Sequence, residues 1–195
     1  MTTPAAQVHM LEGQLAGERK LRHALVDAGV RLNSILNFPQ LIAAIVDSSK
    51  ELLSAGHASV ILLEEADNEL TTATPGEAND KNRVPADQGI AGWVLTQNRA
   101  VRLEEADSDP RFLAQIDAPT DVKPRAMLAL PLNARDRTIG VLELINKNNS
   151  EEFDDGDLEV ATAVAAQAAI AIDNLRLYQL LTETLIGSCR SVGAI

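Results

Sequence analysis

The residues best suited to chemistry lie between Gln88 and Lys147. Gly89 and Gly92 flank the start of a short amphipathic helix in the run Gln88-Gly89-Ile90-Ala91-Gly92-Trp93-Val94. Backbone N–H groups at such a start have no partner inside the helix and carry the positive end of its dipole, so they can hold a phosphate or a carboxylate. Glycines at this spacing also serve a plainer end, a tight turn and close packing of helix on sheet. Trp93 and Phe112 belong to a small aromatic set, one Trp, one Tyr and three Phe. Phe112 follows the turn Asp109-Pro110, and Ile116 recurs four residues later on the same face. Each of these can wall a mainly apolar ligand pocket or pack in the core.

Other chemistry finds little support. Histidines at positions 9, 23 and 57 are too dispersed to converge on a metal, so neither a metal centre nor a cofactor is expected. His57 opens a strand and reads as a satisfied edge residue rather than a haem ligand. No nucleophile–base motif and no phosphate loop is visible, and the chain is not expected to be an enzyme. A net charge of −11 argues against nucleic acid or an anionic membrane surface, although a local pocket could still take a small anion. The one cysteine, Cys189, cannot form an internal disulfide, which suits a reducing compartment. The most apolar stretch, Val160 to Ile172, is interrupted by Thr162 and Gln167 and falls short of the ~17 residues that span a bilayer. With no signal peptide visible, a cytoplasmic protein without membrane insertion is expected.

The elements that must position these residues can be read in order. Met1 to Gln7 reads as a disordered start. From Met10 to about Asn37 the pattern is helical, with Leu21, Leu25, Ala28, Leu32 and Ile35 spaced four and three apart. Phe38-Pro39 breaks that helix and opens another, which carries Leu41, Ile42, Ile45, Val46, Leu52 and Leu53 and stops near Gly56. His57 to Leu63 reads as a buried strand, Asp67-Asn68 as a turn and Leu70 to Thr74 as the return strand. Pro75 to Asn82 is a loop. Ala100 to Leu103 is a strand, followed by strands Met127 to Leu132 and Thr138 to Asn146 joined by a hairpin turn at Asp136-Arg137. Asp154 is a candidate N-cap with Asp157 as its partner. In the closing helix Ala161, Val164, Ala168, Ala171, Leu175, Tyr178, Thr182, Leu185, Cys189 and Val192 alternate three and four apart. A seam kept this long predicts helix pairing beyond one core. The fold class is therefore α+β, a central antiparallel sheet of five or six strands with helices packed on it. Long N- and C-terminal helices form dimer seams, assigned to Leu25, Leu32, Ala168, Leu175, Tyr178 and Leu185.

The series from Gln88-Gly89 through Trp93, Asp109-Pro110-Arg111-Phe112 and the last two strands resembles the GAF family, the ligand-sensing regulatory modules of phosphodiesterases, cyclases and histidine kinases. The resemblance covers about Leu21 to Tyr178. It implies that the short helix and the next helical flap close over a ligand. Gly89, Gly92, Trp93, Phe112 and Ile116 would then line the pocket, with Asp117 and Thr120 as polar contacts. Cyclic-nucleotide-binding relatives have a glycine after that threonine, where this chain has Asp121. Asn146-Lys147, Phe153 and Asp157 resemble the Asn-Lys…Phe…Asp-Glu motif of phosphodiesterase GAF domains, with Leu158 in place of the closing glutamate. There the Lys and Asp form a structural pair beside the pocket. Relatives that reduce methionine sulfoxide or bind bilins need pocket cysteines that this chain lacks.

The expected organisation is a dimerisation arm over 1–37, a GAF sensor over 38–178 with its closing helix from about 155, and a signalling helix over 179–195. Glu183 to Ile195 resembles the helix leading into HD-GYP domains, so an output domain is expected beyond it, HD-GYP foremost and a diguanylate cyclase or histidine kinase next. The expected partners are a small molecule, a cyclic nucleotide among the options, and a second copy of the chain. Two other readings fit the same residues. One is a ligand-free GAF-shaped spacer with leucine-filled interior, the other a PAS-type sensor.

Overall fold

The computed structural model describes residues 22–73, 83–118, 122–148 and 152–192, the last eight as backbone only. Thr120, Asp121, His9, Leu21, the segments Met1–Gln7 and Pro75–Asn82, Thr74 and Gly193 lie outside the described residues, as do the side chains of Leu185, Cys189 and Val192.

Helix α1 (22–33) leads into α2 (Phe38–Leu53). Asn37 caps α2, its side chain accepting from Gln40 N–H, and Pro39 sits in the first turn where no N–H is needed. The stop is Ser54, in the left-handed region at φ 49°, and not Gly56. Gly56 already belongs to the next strand, where its bare Cα lies against the Asn146 carbonyl.

Strands β1 (Ala55–Glu64), β2 (Glu69–Ala73), β3 (Arg83–Pro85), β4 (Val101–Leu103), β5 (Met127–Ala134) and β6 (Arg137–Lys147) form one six-stranded sheet. Its order is β3-β2-β1-β6-β5-β4, with every neighbouring pair antiparallel. The β5–β6 turn falls at Arg135-Asp136, one residue earlier than expected. Ala134 pairs with Arg137, and Arg135 takes the positive φ. The three-residue edge strand β3 carries no apolar run and was not legible in the sequence. β1 lies between β2 and β6, but among the described residues His57 pairs only with Ile145 of β6, β2 joining from Val60 onward. His57 is half-buried, and burial followed by nearby Lys50 lowers its pKa.

Alternation along the central strands sends side chains to two faces. Leu142, Leu144, Leu128 and Leu130 face α2 and α5 (Asp155–Val192), in a core shared with Leu41, Ile42, Ile45, Ala168 and Leu175. Val141, Ile145, Met127 and Ile61 face α3 (Gly89–Gln97) and α4 (Ala114–Asp117) in a second core. At the start of α5, Asp154 and Asp157 cap one another, each backbone N–H donating to the other's carboxylate at 2.8 Å.

This packing corrects the dimer seam. Leu32, Ala168 and Leu175 are buried inside the single chain, and Leu25 packs against the same core. Burying a leucine contributes about 1.5–3 kcal/mol, so the three-and-four repeat of α5 is first satisfied by the chain's own sheet. Its alanines let helix and sheet approach closely. Tyr178 is exposed, together with Ile170, Leu180 and Leu181 on α5 and Val26 and Val30 on α1. By length and composition the segment Asp155–Thr184 could cross a membrane, but half of its most apolar window is buried in the core.

Candidate functional site

Helix α3 starts after Gln88, whose side chain makes no cap. Its N–H groups are taken instead by Asp117 from α4. Ile90 N–H donates to Asp117 Oδ2 at 2.9 Å, and Ala91 N–H to Oδ1 at 3.2 Å. A third donor, Leu113 N–H, reaches Oδ2 at 2.7 Å. Such an arrangement is what a helix N-terminus offers to an anion, and here the anion is internal. The glycines make the approach possible. Gly89 has φ +78°, and a Cβ there would stand 2.8 Å from Ile116 Cγ2 and 2.9 Å from Asp117 Oδ2. A Cβ on Gly92 would press to 2.6 Å from the Asp87 backbone. The glycines thus serve the turn and the close approach, and the donors to Asp117 are the N–H groups of Ile90 and Ala91.

Beneath Asp117 lies a residue not singled out from the sequence. Glu143 projects from the middle of β6 into the second core, between Val141 and Ile145, and is fully buried. Ser59 on β1 donates to its Oε2 at a long 3.4 Å, and Oε1 accepts no hydrogen bond. Burial first, then the neighbouring Asp117 carboxylate, push the Glu143 carboxyl well above its ordinary value. Asp117 is also raised by burial, with its three backbone donors and Glu143 acting against that shift. The donors decide where the proton sits. Asp117 as an anion is held by N–H groups, whereas Glu143 as an anion would have only Ser59, so Glu143 is the acid that keeps the proton. A sequence signal existed, since Glu143 is the one acid inside the apolar run Ile139 to Ile145.

Above this pair sit the aromatics. Trp93 and Phe112 are partly buried against the second core, as is Leu113. The Arg111 guanidinium lies 4.7 Å from the Trp93 ring centre. Arg111 is held there by Asp109, which accepts from Nε at 2.8 Å and from Nη2 at 2.7 Å. The side-chain hydrogen bond between them lowers the Asp109 carboxyl and raises the Arg111 guanidinium. Ile116 is buried beside Asp117. The fold thus brings Gly89, Gly92, Trp93, Phe112, Ile116 and Asp117 together around α3 and α4.

Asn146, Lys147, Phe153 and Asp157 sit apart from that cluster. Asn146, at positive φ, accepts from Arg125 N–H at 2.8 Å and donates to the Lys123 carbonyl at 2.9 Å, fixing the approach to β5. Lys147 Nζ lies 2.7 Å from Asp157 Oδ2, both side chains 15% exposed, joining the end of β6 to the first turn of α5. Phe153 packs in the core shared by α2 and α5. Two surface clefts, one around Glu104, Asp107, Lys123 and Arg125 and one around Glu64, Arg137, Arg176 and Glu183, are lined by other residues.

Comparison with known proteins gives this geometry a family. The GAF domain profile matches residues 37–172. A probable 3',5'-cyclic phosphodiesterase from Caenorhabditis elegans is 24% identical over 178 residues, 84% of this chain and 24% of that protein. The cGMP-specific 3',5'-cyclic phosphodiesterase of Drosophila melanogaster is 35% identical over 102 residues, 51% of this chain and 9% of that protein. The chain therefore spans a quarter or less of the length of these relatives. Among solved structures, the GAF domain of a phosphoenolpyruvate-protein phosphotransferase from Coxiella burnetii superposes with TM-score 0.70 at 18% identity, covering 82% of this chain and 96% of that one. A free methionine-R-sulfoxide reductase from Neisseria meningitidis superposes with TM-score 0.64 at 19% identity, covering 81% and 91%. Profile and superpositions agree, and the PAS alternative falls away: the chain belongs to the GAF domain family.

Proposed function

We propose that the chain is a regulatory sensor module that binds a small molecule beneath α3 and α4 and passes its occupancy to an output domain through α5. The observation that carries this reading is the buried Asp117–Glu143 pair. A core strand rarely keeps a carboxyl in an apolar layer without a use for it, because an unpaired polar group there costs free energy. Relatives named as cGMP phosphodiesterases belong to the same family and support a regulatory role. Their cyclic nucleotide is the less favoured ligand here, since Asp117 already occupies the backbone donors a phosphate would need. No reaction is assigned.

Two contacts give the site a route to α5. Lys147–Asp157 ties the end of β6 to the helix start. Arg135 and Arg137 of the β5–β6 hairpin reach Asp173 of α5 at 3.1 and 3.8 Å. A ligand shifts α5 only by as much as its affinities for two arrangements differ. We place the partner subunit on the exposed face, along Val26, Val30, Ile170 and Leu181, and the output, HD-GYP foremost, beyond the stretch Glu183 to Ile195. A cytoplasmic setting suits this role.

A second reading, a ligand-free spacer, is favoured by the filling of the second core with Ile90, Ile116, Met127, Val141 and Ile145. A screen of cyclic mono- and dinucleotides, nucleobases, 2-oxo acids and amines, followed by Trp93 fluorescence and melting temperature, separates the two. A ligand that moves both signals supports the sensor; flat signals throughout support the spacer.

A further inference from the structure

The α3 N-terminus is shut to anions. Ile90 and Ala91 already donate to Asp117, and the next polar group inward, Glu143, is a second acid. Glu143 is fully buried, and its Oε1 accepts no hydrogen bond. The groups facing it are Asp117 from α4 and Ser59 from β1; Ala129 of β5 pairs with it in the sheet, and α3 brings backbone donors only to Asp117. None of these is a cation. A phosphate or carboxylate entering here would meet two acids, with the Ile90 and Ala91 N–H groups already engaged, whereas a cation would meet two acceptors.

We infer that the Asp117–Glu143 pair is the recognition point for a ligand carrying a guanidinium or amidinium group, which enters between the two carboxyls and donates to the vacant Glu143 Oε1. The inference rests on the sensor reading and specifies the ligand of that site. The flat fork of N–H donors suits a carboxylate, and here it bridges two. Charge and protons balance. The incoming cation brings one positive charge, Glu143 gives up its proton to solvent, and both carboxylates end ionised around the ligand. Binding must therefore release one proton. α4 has to lift from Gly89 for entry, since Asp117 and Glu143 are both fully buried when it is seated.

The test uses the full chain and isothermal titration with methylguanidinium and benzamidinium. Methylurea and benzamide serve as neutral partners of the same shape, and inorganic phosphate runs in parallel. The cations should bind at least about tenfold more tightly than the neutral compounds. Their affinity should rise by up to about tenfold per pH unit while Glu143 remains protonated, with one proton released in buffers of different ionisation enthalpy. Glu143→Gln, nearly the shape of the protonated acid, should abolish proton release and weaken cation binding about tenfold or more. Carboxyl 13C NMR of the unaltered protein gives a second readout, the Glu143 signal moving to the ionised position on binding. Cations that bind equally to Glu143→Gln, or without proton release, overturn the inference. Phosphate binding without the cations overturns it too. If the wider screen finds a neutral or anionic ligand indifferent to Glu143→Gln, the inference fails while the sensor reading stands. If nothing of any charge binds, both fail.

Discussion

The backbone N–H of Ile90 donates to Asp117 Oδ2 at 2.9 Å, so the open end of α3 is closed by a carboxylate from the same chain. The contact links two otherwise separate pieces, a nine-residue helix and a four-residue one. α4 is too short to hold itself by helix propensity, since its helical bonds cannot repay nucleation. Asp117 supplies what holds it, accepting from Leu113 N–H in its own turn and from Ile90 and Ala91 across the gap.

Replacing Asp117 should therefore loosen both helices. Asp117→Ala leaves three backbone donors without their acceptor and should cost about 2–4 kcal/mol after local relaxation. Asp117→Asn should cost less, because its carbonyl oxygen can still accept. Urea denaturation measures the global cost, and amide hydrogen exchange at Ile90, Ala91 and Leu113 tests its location. Unchanged protection at those amides would count against the latch.

Glu143 gives a pH signature with a definite sign. Its folded pKa is raised by burial and by Asp117, so the unfolded chain loses the proton first as pH rises. The stability contribution is complete below about pH 4.3, the unfolded glutamate value, and is lost progressively above it until the folded group also ionises. Glu143→Gln removes that loss. Melting temperatures of the two proteins should agree near pH 4 and diverge with rising pH, the variant being the more stable at pH 8. Asp117, also raised, adds a slope of the same sign in both. A constant gap between the two curves would mean that Glu143 titrates alike in the folded and unfolded chain, against the raised pKa.

The oligomer prediction changes with the packing. Leu175 is buried in the core, so Leu175→Glu should unfold the chain rather than split a dimer. Ile170 and Leu181 are exposed on the outer side of α5. If copies pair along that face, Ile170→Glu or Leu181→Glu should give a folded monomer with melting temperature little changed. Sedimentation with circular dichroism decides it. A variant that keeps the oligomer places the interface elsewhere.

The fold was legible where local signals and burial agreed. β1, β5 and β6 are apolar runs bounded by turn residues, and Asp154 with Asp157 is a reciprocal cap readable from spacing alone. The site was legible in part. Gly89, Trp93, Ile116 and Asp117 stand in one ordered series, but that Asp117 itself fills the cradle depends on how α4 folds back over Gly89, which spacing does not encode. Glu143 hid in a strand that reads as apolar overall. The seam misled because a three-and-four repeat looks the same whether its partner is another subunit or the chain's own sheet. β3 escaped because its pairing with β2, not its composition, makes it a strand.

Lys147 and Asp157 allow a graded test of the link to α5. Asp157 Oδ2 serves two partners, Lys147 Nζ at 2.7 Å and the backbone N–H of Asp154 at 2.8 Å. Asp157→Ala removes both and should cost about 1–3 kcal/mol, the sum of a lost cap and a largely buried ion pair. Asp157→Asn keeps an oxygen for the Asp154 N–H and loses the charge, so its cost should be smaller. Lys147→Met retains the stem that packs at the β6 end and leaves Asp157 in its cap. It should be the mildest, about 1 kcal/mol or less. Urea denaturation gives the order, and added salt should change the effect of Lys147→Met only modestly, because the pair is largely buried. If Lys147→Met proves as costly as Asp157→Ala, the ion pair rather than the cap fastens α5 to the sheet. In that case the lysine would be the stronger element in any relay from β6.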